Sequence, residues 1–383
     1  MEKHEDKRPK EYLYWNQLKD HLDGDINKIF GDEIVMPKQL ELHFPNDKKE
    51  ACDLSCPHCA GKKFNKELGN FEQNALKILE KLNGKIPQII MGGAYTEPFG
   101  NLYIMPAVNI IKKTGSYFGF HTNGTKLKSL EENTGLLTEL NRLSSSKKDY
   151  LSISIDAGIA WDWAKTKGTK AHYGFYDIIE ATKMAVDIRN KNNKNGHAIR
   201  WCYLISPVSG NIENFSSIIS LAKRIGVDSV RFSIPFAPYN QSFDKVREYK
   251  KNIEIEKDNT YYDLLKPYLS DKQIDGETYI FYTGPEFTDI DKYNFDKCIY
   301  PYFQHTMGAD GYYYKCSTVA TPTAKHLRLG EVTEDFNDFL ESIKRNQSES
   351  FSCQNGCFKN GLRCNRMGLE CNLAFKEIVK GNK

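Results

Sequence analysis

The sequence predicts an α/β protein: a partial (β/α)6 barrel of the TIM type, followed by a small C-terminal cysteine-rich domain. Three observations favour this fold class. Strand-like and helix-like segments alternate between residues 39 and 236, ten cysteines fall mostly into two groups, and glycine- or carboxylate-bearing turns follow successive strands. Such alternation is typical of a parallel sheet with right-handed crossovers. A full barrel of eight units usually needs about 250 residues, so six units fit this length better.

The six predicted strands are short apolar runs bounded by polar segments. They are Gln39 to Phe44, Gln88 to Met91, Tyr117 to His121, Tyr150 to Ile155, Arg200 to Ile205 and Ser229 to Ser233. Helices are predicted over Phe71 to Leu82, Leu102 to Lys113 and Tyr173 to Ile188. An apolar stripe at helical spacing from Phe215 to Ile225 indicates a further helix, which ends at Gly226. Active sites of such barrels lie at the carboxyl ends of the strands.

Composition divides the chain into four predicted segments. Residues 1–38 form a polar, helix-compatible leader, and residues 39–236 form the barrel. Residues 237–293 are polar, rich in tyrosine and lysine and without an α/β rhythm, which indicates a bridging segment. Residues 294–383 carry six cysteines and are predicted to form a small domain that depends on metal for its stability.

Charge and cysteine content limit the classes of function. The 53 basic and 50 acidic side chains are interspersed and leave a net charge of +3, which argues against a nucleic-acid partner. The charged N-terminus lacks the apolar core of a signal peptide, and no apolar run approaches the roughly 18 residues that span a bilayer. We therefore expect a cytoplasmic protein with no membrane partner, whose clustered cysteines are metal ligands rather than disulfides.

The first cysteine group, Cys52, Cys56 and Cys59, directly follows the first predicted strand. Three thiolates on one loop can hold three irons of a cubane cluster and leave the fourth iron open to a ligand that chelates through an amine and a carboxylate. A zinc site is the alternative, and it would need a fourth ligand such as His58 or His43. His58 lies between two of the cysteines, so its imidazole reaches the same ion with difficulty.

At these residues the chain resembles the radical S-adenosylmethionine (SAM) superfamily, whose signature is C-x3-C-x2-C after the first barrel strand. The resemblance implies a 4Fe-4S cluster that cleaves SAM reductively. The segment that begins at Met91 is similar to the family's GGEP motif, with a three-residue insertion before Glu97. By this resemblance Gly92, Gly93 and Glu97 are expected to contact SAM, and His58 in the cysteine loop is a further candidate contact.

Two later turns extend the resemblance. Asn123 belongs to a segment similar to the family's TNG turn, and Ser154 and Asp156 belong to one similar to its SxDG element. The resemblance implies that Ser154 and Asp156 point toward the carboxylate or ribose of SAM. Asn-Gly is also an ordinary tight turn, and a buried aspartate can instead cap the segment that follows it. Candidates for the carboxylate and adenine of SAM on or after the fifth strand are Arg200, Tyr203 and Val208.

The second cysteine group resembles the SPASM and twitch domains, which bind auxiliary 4Fe-4S clusters. Cys298, Gly311 and Cys316 reproduce their opening pattern, whereas the closing group has wider gaps and consists of Cys353, Cys357, Cys364 and Cys371. By position we match Cys298, Cys316 and Cys371 to a first auxiliary cluster and Cys353, Cys357 and Cys364 to a second. Six thiolates are fewer than the eight that two fully ligated clusters require, so one or two clusters are expected. Structural zinc is the alternative.

The resemblance implies an oxidoreductase or maturase that forms a 5′-deoxyadenosyl radical and abstracts hydrogen from its substrate. A peptide that becomes cross-linked, oxidised or epimerised is the first expectation, and a sugar or cyclitol is the alternative small-molecule substrate. An electron donor such as flavodoxin or ferredoxin is expected as a partner. A non-catalytic zinc or iron–sulfur protein is the alternative of another class. Ser317 stands where sulfatase-maturing relatives often carry an acidic residue, so a carboxylate base is not indicated there.

Overall fold

A computed structural model describes residues 8–31, 33–46, 52–57, 59, 70–93, 96–192, 196–234, 260–283, 298–321, 324–348 and 366–381. These residues form two compact units. The four-strand unit contains the described residues within 1–13, 123–235 and 247–286. The cysteine unit contains those within 14–122 and 287–383. No helix in the described ranges combines the length and apolar composition needed to cross a membrane.

Ten strands and twelve α-helices occur in the described part of the chain. The strands are β1 (Gln39–Leu42), β2 (Gln88–Met91), β3 (Tyr117–Thr122), β4 (Tyr150–Ser154), β5 (Ala198–Leu204), β6 (Ser229–Ser233), β7 (Tyr279–Thr283), β8 (Gln304–Met307), β9 (Tyr312–Tyr314) and β10 (Arg328–Glu331). The helices are α1 (Tyr14–His21), α2 (Phe71–Leu82), α3 (Ile104–Lys113), α4 (Leu127–Thr134), α5 (Leu136–Leu143), α6 (Ala160–Lys167), α7 (Gly174–Asn192), α8 (Ile212–Ile225), α9 (Thr260–Leu265), α10 (Tyr300–Phe303), α11 (Phe336–Ser348) and α12 (Arg366–Gly381).

The fold is mixed α/β with mostly parallel strands, in the alternation of a partial TIM-type barrel, so the predicted fold class is confirmed. All six predicted strands are present, with ends that move by at most two residues. The prediction missed β7, which lies in the segment interpreted as a bridge. Its aromatic run is only five residues long, and periodicity is a weak signal in so short a run.

The four-strand unit is built on the parallel strands β4, β5, β6 and β7, paired in that order. Alternate residues of β5 explain its packing. Trp201 and Tyr203 are fully buried on the helix-covered face, where the Trp201 indole donates to Thr182 Oγ1 of α7 at 3.2 Å. The ring of Tyr203 lies 5.7 Å from that of Phe215 on α8. Large buried aromatic rings of this kind contribute much of the apolar area that stabilises a core.

The cysteine unit contains β10, β9, β8, β1, β2 and β3 in that spatial order. Strands β8, β1, β2 and β3 run parallel, and β9 pairs antiparallel with both β8 and β10. Gln39 of β1 lies opposite Gln88 on one side and Gln304 on the other. Strand β8 follows Cys298 and precedes Cys316 in the chain, so the first strand pairs directly with the C-terminal cysteine segment.

The leader and the C-terminal helix share one apolar core inside the cysteine unit. Leu18 and Leu22, on and just after α1, are fully buried in one cluster with Cys371 of α12, and Phe375 of the same helix is 7% exposed there. The backbone N–H of Trp15 donates to Glu370 Oε1 at 3.0 Å. Residues from both ends of the chain therefore enclose the same cysteine-containing core, although the boundaries proposed from composition stay a prediction.

Candidate functional site

The loop after β1 carries Cys52, Cys56 and Cys59, each a half-buried cysteine outside any disulfide. A turn brings the last two together, because the Cys59 N–H donates to the Cys56 carbonyl at 3.0 Å. Burial is the main cause that raises the pKa of the Cys52 thiol to about 12, and the charges of Glu97 and Asp53 act in the same direction. A thiol in such surroundings becomes a thiolate when a cation compensates the charge, as a metal or cluster does.

The donor set of this loop fits an iron–sulfur cluster, because three thiols lie within one short loop at the carboxyl end of a strand. His58 lies outside the described residues. Within the described ranges, no three His, Cys, Asp or Glu side chains are already arranged as the ligands of a metal ion. The assignment of the loop therefore depends on the chemistry and spacing of its thiols and on the turn beside it.

Gly92 and Gly93 form that turn, directly after β2. The Gly92 N–H donates to the carbonyl of Leu42 at 3.0 Å, so the turn lies next to the end of β1. A Cβ atom on Gly92 would lie 2.8 Å from the Cβ of His121, and one on Gly93 would lie 2.7 Å from the imidazole of His43. Glycine is required at both positions because the two histidines occupy the space that a side chain would need. Ala94 and Tyr95 lie outside the described residues.

Glu97 is fully buried and caps the short 3-10 helix Pro98–Gly100. Its Oε1 accepts from the Phe99 N–H at 3.2 Å and from Thr122 Oγ1 at 2.6 Å. The same carboxylate raises the pKa of Cys52, so its negative charge acts at the cysteine loop. Glu97 thus holds the local backbone and is close enough to the loop to influence it. Its expected contact with SAM stays a prediction.

Strand β1 contributes a pair that sequence reasoning did not assign to the cofactor site. Glu41 Oε1 lies 2.6 Å from Nε2 of His43, and its Oε2 accepts from Nε2 of Gln304 at 2.6 Å. His43 had been considered only as a zinc ligand. The signal in the sequence is the alternation of Gln39, Glu41 and His43, which places three polar residues on one face of the strand while its leucines are buried on the other.

In the four-strand unit, Asn123 and Ser154 occupy strand ends. Asn123 Oδ1 accepts from the N–H and the hydroxyl of Thr125 at 2.9 and 2.7 Å, which stabilises the turn after β3. Ser154 is the half-buried last residue of β4 and pairs with Cys202. Val208 is exposed in the turn that follows β5. Each residue lies near the carboxyl end of a strand, where barrel sites are found.

Asp156 has a left-handed backbone (φ of 53°) and is almost completely buried. Its Oδ2 accepts from the ammonium of Lys167 at 2.5 Å, and its Oδ1 accepts from the Leu204 N–H of β5 at 2.8 Å. Lys167, at the end of α6, is 2% exposed and was missed by sequence reasoning, since an aspartate and a lysine 11 residues apart carry no motif. Both carboxylate oxygens have protein partners, at the end of α6 and on β5, and neither partner is a backbone group of the segment directly after Asp156. The expected contact with SAM stays a prediction.

Arg200 lies in the amino half of β5, because that strand begins at Ala198 rather than at Arg200. Its guanidinium lies over the ring of Tyr150, the first residue of β4, at 4.6 Å. The pair Ser152–Arg200 precedes the pair Ser154–Cys202 by two positions in the ladder. The guanidinium therefore packs against an aromatic ring, and its expected contact with SAM stays a prediction. The Tyr203 hydroxyl is buried and donates to the carbonyl of Ser209 at 2.8 Å.

Cys298, Cys316 and Cys371 converge on one core of the cysteine unit. Cys316 and Cys371 lie within it, and Cys298 packs against it. Burial is the main cause that raises the pKa of all three thiols, and the charge of Cys298 acts in the same direction on the other two. The pKa of Cys316 is raised to about 12. The Asn372 amide donates to Cys298 Sγ at 3.4 Å. Three neighbouring thiols suit a buried cluster or zinc. Cys353, Cys357 and Cys364 lie outside the described residues.

The sequence matches no protein-family model and no curated protein significantly. Solved structures do match. Streptococcus suis SuiB bound to precursor peptide SuiA has a TM-score of 0.54 and 11% identity over 86% of this chain and 69% of that chain. SuiB bound to S-adenosylmethionine has a TM-score of 0.49 and 12% identity over 79% and 63%. The structure of anSMEcpe with bound AdoMet has a TM-score of 0.49 and 15% identity over 90% and 96%.

This chain spans 63% of the length of SuiB in its S-adenosylmethionine complex. SuiB binds S-adenosylmethionine, and the likeness to its peptide-bound structure shows that this chain shares the SuiB fold. The resemblance predicted from the cysteine and glycine motifs is thereby confirmed at the level of the fold.

Proposed function

We propose that the chain is a radical SAM enzyme in which Cys52, Cys56 and Cys59 hold a 4Fe-4S cluster. The carrying observation is the position of this thiol loop, directly after β1 and beside the Gly92–Gly93 turn, in a chain with the radical SAM fold. When bound, the cluster and SAM supply a 5′-deoxyadenosyl radical that abstracts hydrogen from the substrate. The protein's part in such chemistry is to bind, orient and exclude water.

Several residues of the cysteine unit have proposed roles toward SAM. The absence of side chains at Gly92 and Gly93 lets the turn pack against His121 and His43, and the backbone of this turn is the proposed contact for SAM. Glu97 supplies a buried negative charge next to the cysteine loop, which favours a cationic ligand group such as an ammonium. His58 remains a proposed contact in that loop. In the four-strand unit the proposed contacts are Asn123, Ser154, Asp156, Arg200 and Val208.

We propose that Cys298, Cys316 and Cys371 hold one auxiliary 4Fe-4S cluster and that Cys353, Cys357 and Cys364 contribute to a second. The shared core of the first three supports this proposal. Their raised pKa values mean that the metal-free site favours neutral thiols, and a metal cluster would convert them to ligands while neutralising the buried charge. A structural zinc ion is the competing occupant of the same donors.

A peptide is the proposed substrate, with an electron donor such as flavodoxin or ferredoxin as partner. The SuiB structure that shares this fold is bound to a precursor peptide, which supports the substrate class. One observation favours a small sugar or cyclitol instead. Residues 14–29 of the leader pack into the core of the cysteine unit, so this segment is committed to that core rather than to a recognition module of its own.

The first experiment tests SAM cleavage without substrate. Anaerobically reconstituted protein, reduced with dithionite, is expected to convert SAM to 5′-deoxyadenosine and to absorb near about 400 nm, as Cys-ligated clusters do. Replacing Cys52, Cys56 and Cys59 together by Ala is expected to abolish the conversion. The matched control is Cys202→Ala, which removes a buried thiol of the four-strand unit and is expected to retain it. A triple variant that still cleaves SAM would show that the cluster lies elsewhere.

The second experiment separates the substrate classes. Peptides and sugars deuterated at carbon are supplied in turn, and 5′-deoxyadenosine is examined by mass spectrometry. A true substrate transfers deuterium from carbon to 5′-deoxyadenosine. Transfer from a peptide set alone supports the maturase, and transfer from a sugar or cyclitol alone overturns it in favour of the small-molecule enzyme.

A further inference from the structure

The first strand presents two different faces. Leu40 and Leu42 are fully buried in the apolar core, whereas Gln39, Glu41 and His43 alternate on the opposite face. His43 itself is 0% exposed. Burying polar and charged groups is costly unless they are hydrogen-bonded. The polar face of β1 therefore needs both local partners and a reason to be polar.

The partner of Glu41 comes from the C-terminal cysteine segment. Gln304, the first residue of β8, is also 0% exposed and donates to Glu41 Oε2, while His43 bonds to Oε1. Both hydrogen bonds are 2.6 Å long, so the carboxylate is held from two sides. Hydrogen bonds to a charged acceptor are short and about twice as strong as neutral ones. The orientation of His43 is thus set by a residue that lies between Cys298 and Cys316 in the chain.

The electrostatics keep this carboxylate ionised. Burial opposes the charge on Glu41, but the hydrogen bond and charge of His43, the charge of His121 and the hydrogen bond from Gln304 outweigh it and lower its pKa. Glu41 is therefore negatively charged at neutral pH. A fixed negative charge on this face is complementary to a cationic ligand.

The imidazole of His43 in turn lies against the glycine turn. A Cβ on Gly93 would be 2.7 Å from its Cγ, 2.8 Å from its Cδ2 and 2.9 Å from its Nδ1. A side chain at position 93 would therefore clash with the ring, so the imidazole packs directly against the backbone of Gly93. The position of the ring determines the position of the Gly93 backbone.

We propose that Gln304, Glu41 and His43 form a chain of positioning residues that fixes the Gly92–Gly93 turn for SAM. The proposal rests on the proposed function, since SAM is the ligand of the turn. Gln304 orients Glu41, Glu41 orients His43, and the His43 ring supports Gly93. These three residues also connect β8, the strand between Cys298 and Cys316, to the Gly92–Gly93 turn. The C-terminal cysteine segment therefore influences SAM binding through β8.

The test measures SAM affinity by equilibrium dialysis and the shift that SAM causes in the electron paramagnetic resonance signal of the reduced cluster. Glu41→Gln keeps the shape but removes the charge, and Gln304→Leu keeps volume but removes the donor. Each is expected to weaken SAM binding by about three- to tenfold and to reduce the spectral shift, because a misplaced turn binds the same ligand less well. Thr306→Val is the matched control, since Thr306 is buried directly opposite Glu41 on β8 but is not part of the chain, and its SAM affinity is expected to be unchanged.

A double-mutant cycle tests the contact itself. Gly93→Ala alone and His43→Ala alone are each expected to weaken SAM binding by about tenfold. The double variant is expected to lose less SAM affinity than the product of the two single fold-losses, because removing the ring makes room for the new methyl group. If the double variant instead loses SAM affinity by the full product of the two single losses, the contact between His43 and Gly93 does not position the turn. If His43→Ala loses iron or secondary structure, the volume-conserving changes at Glu41 and Gln304 decide.

Two further results separate this proposal from the function on which it rests. If the parent protein binds and cleaves SAM while the Glu41 and Gln304 variants match it in affinity and spectrum, the positioning chain is wrong and the proposed function stands. If the parent binds no SAM, both are wrong.

Discussion

The two groups of cysteines offer the same donor atoms in opposite surroundings. Cys52, Cys56 and Cys59 are half-buried on a loop beside a glycine turn, whereas Cys316 and Cys371 lie inside an apolar core to which Cys298 also packs. A cluster that binds and cleaves a ligand needs an approachable iron, and a cluster enclosed by leucine and aromatic side chains is protected from solvent. This difference in burial supports the proposal of ligand chemistry at the loop and of either electron transfer or structural support at the core.

The environment also sets how each group depends on metal. The core thiols share their surroundings with Leu18, Leu22 and Phe375 from the two ends of the chain, so a metal there joins segments that are distant in sequence. The loop thiols come from one short segment, so a metal there would connect residues that are already close in sequence. Loss of metal from the core should therefore affect folding, while loss from the loop should affect chemistry.

The largest expected effect comes from removing one core thiol. Cys316→Ala should leave substrate-free formation of 5′-deoxyadenosine within about twofold of the parent, yet lower product formation by about a hundredfold or more if the core cluster takes part in turnover. Product is measured with the substrate that deuterium transfer identifies. The variant must retain its far-UV spectrum, because a lost thiolate can unfold a metal-stabilised core. A folded variant that makes product at the parental rate would show that the core site has a structural role only.

An intermediate effect concerns the strand that carries the core site. His305 of β8 is buried against Ser342 of α11, and burial lowers its pKa to about 3. In the unfolded chain His305 takes up a proton near pH 6.5, whereas in the folded chain it stays neutral until about pH 3. The stability that the neutral His305 contributes is therefore complete above pH 6.5 and is lost as pH falls toward 3. Between pH 6.5 and 5 the loss should be about 2 kcal/mol.

Urea unfolding of the parent and of His305→Gln at pH 7 and pH 5 measures this effect. The variant should lose less stability on acidification than the parent. His326→Gln, which changes an exposed histidine of the same unit, is the control and should keep the parental pH dependence. Equal acid sensitivity of all three proteins would exclude His305 as the acid-sensitive group.

Much of the fold could be predicted because its signals are local. Strand β6 and helix α2 have the predicted bounds, since each is a short apolar pattern that its neighbours in sequence define. The cysteine loop and the glycine turn were also visible, because their chemistry lies in consecutive residues. In contrast, the start of β5 lies two residues before the predicted one, and this shift is what places Arg200 in the amino half of the strand.

The parts that could not be predicted depend on partners far away in the chain. Gln304 and Glu41 are 263 residues apart, and no periodicity in either segment announces their hydrogen bond. The leader has a polar sequence with few apolar positions, yet its Leu18 and Leu22 are buried in one core with residues of the C-terminal helix α12. Lys167 neutralises Asp156 from the end of a helix that was not predicted. Burial and long-range pairing, rather than composition, decide these roles.

The smallest expected effect is kinetic and compares the two sites directly. A ferrous chelator added to the reduced parent protein should remove iron in two phases, with the fast phase from the loop and the slow phase at least about tenfold slower from the core, because local opening must precede access to a buried site. The triple loop variant should lack the fast phase. Leu18→Ala should speed the slow phase alone by about threefold, since it creates a cavity beside the core thiols without touching the loop. A single phase in the parent, or a Leu18 effect on the fast phase, would show that the two cysteine groups do not differ in protection and would remove the basis for giving them different roles.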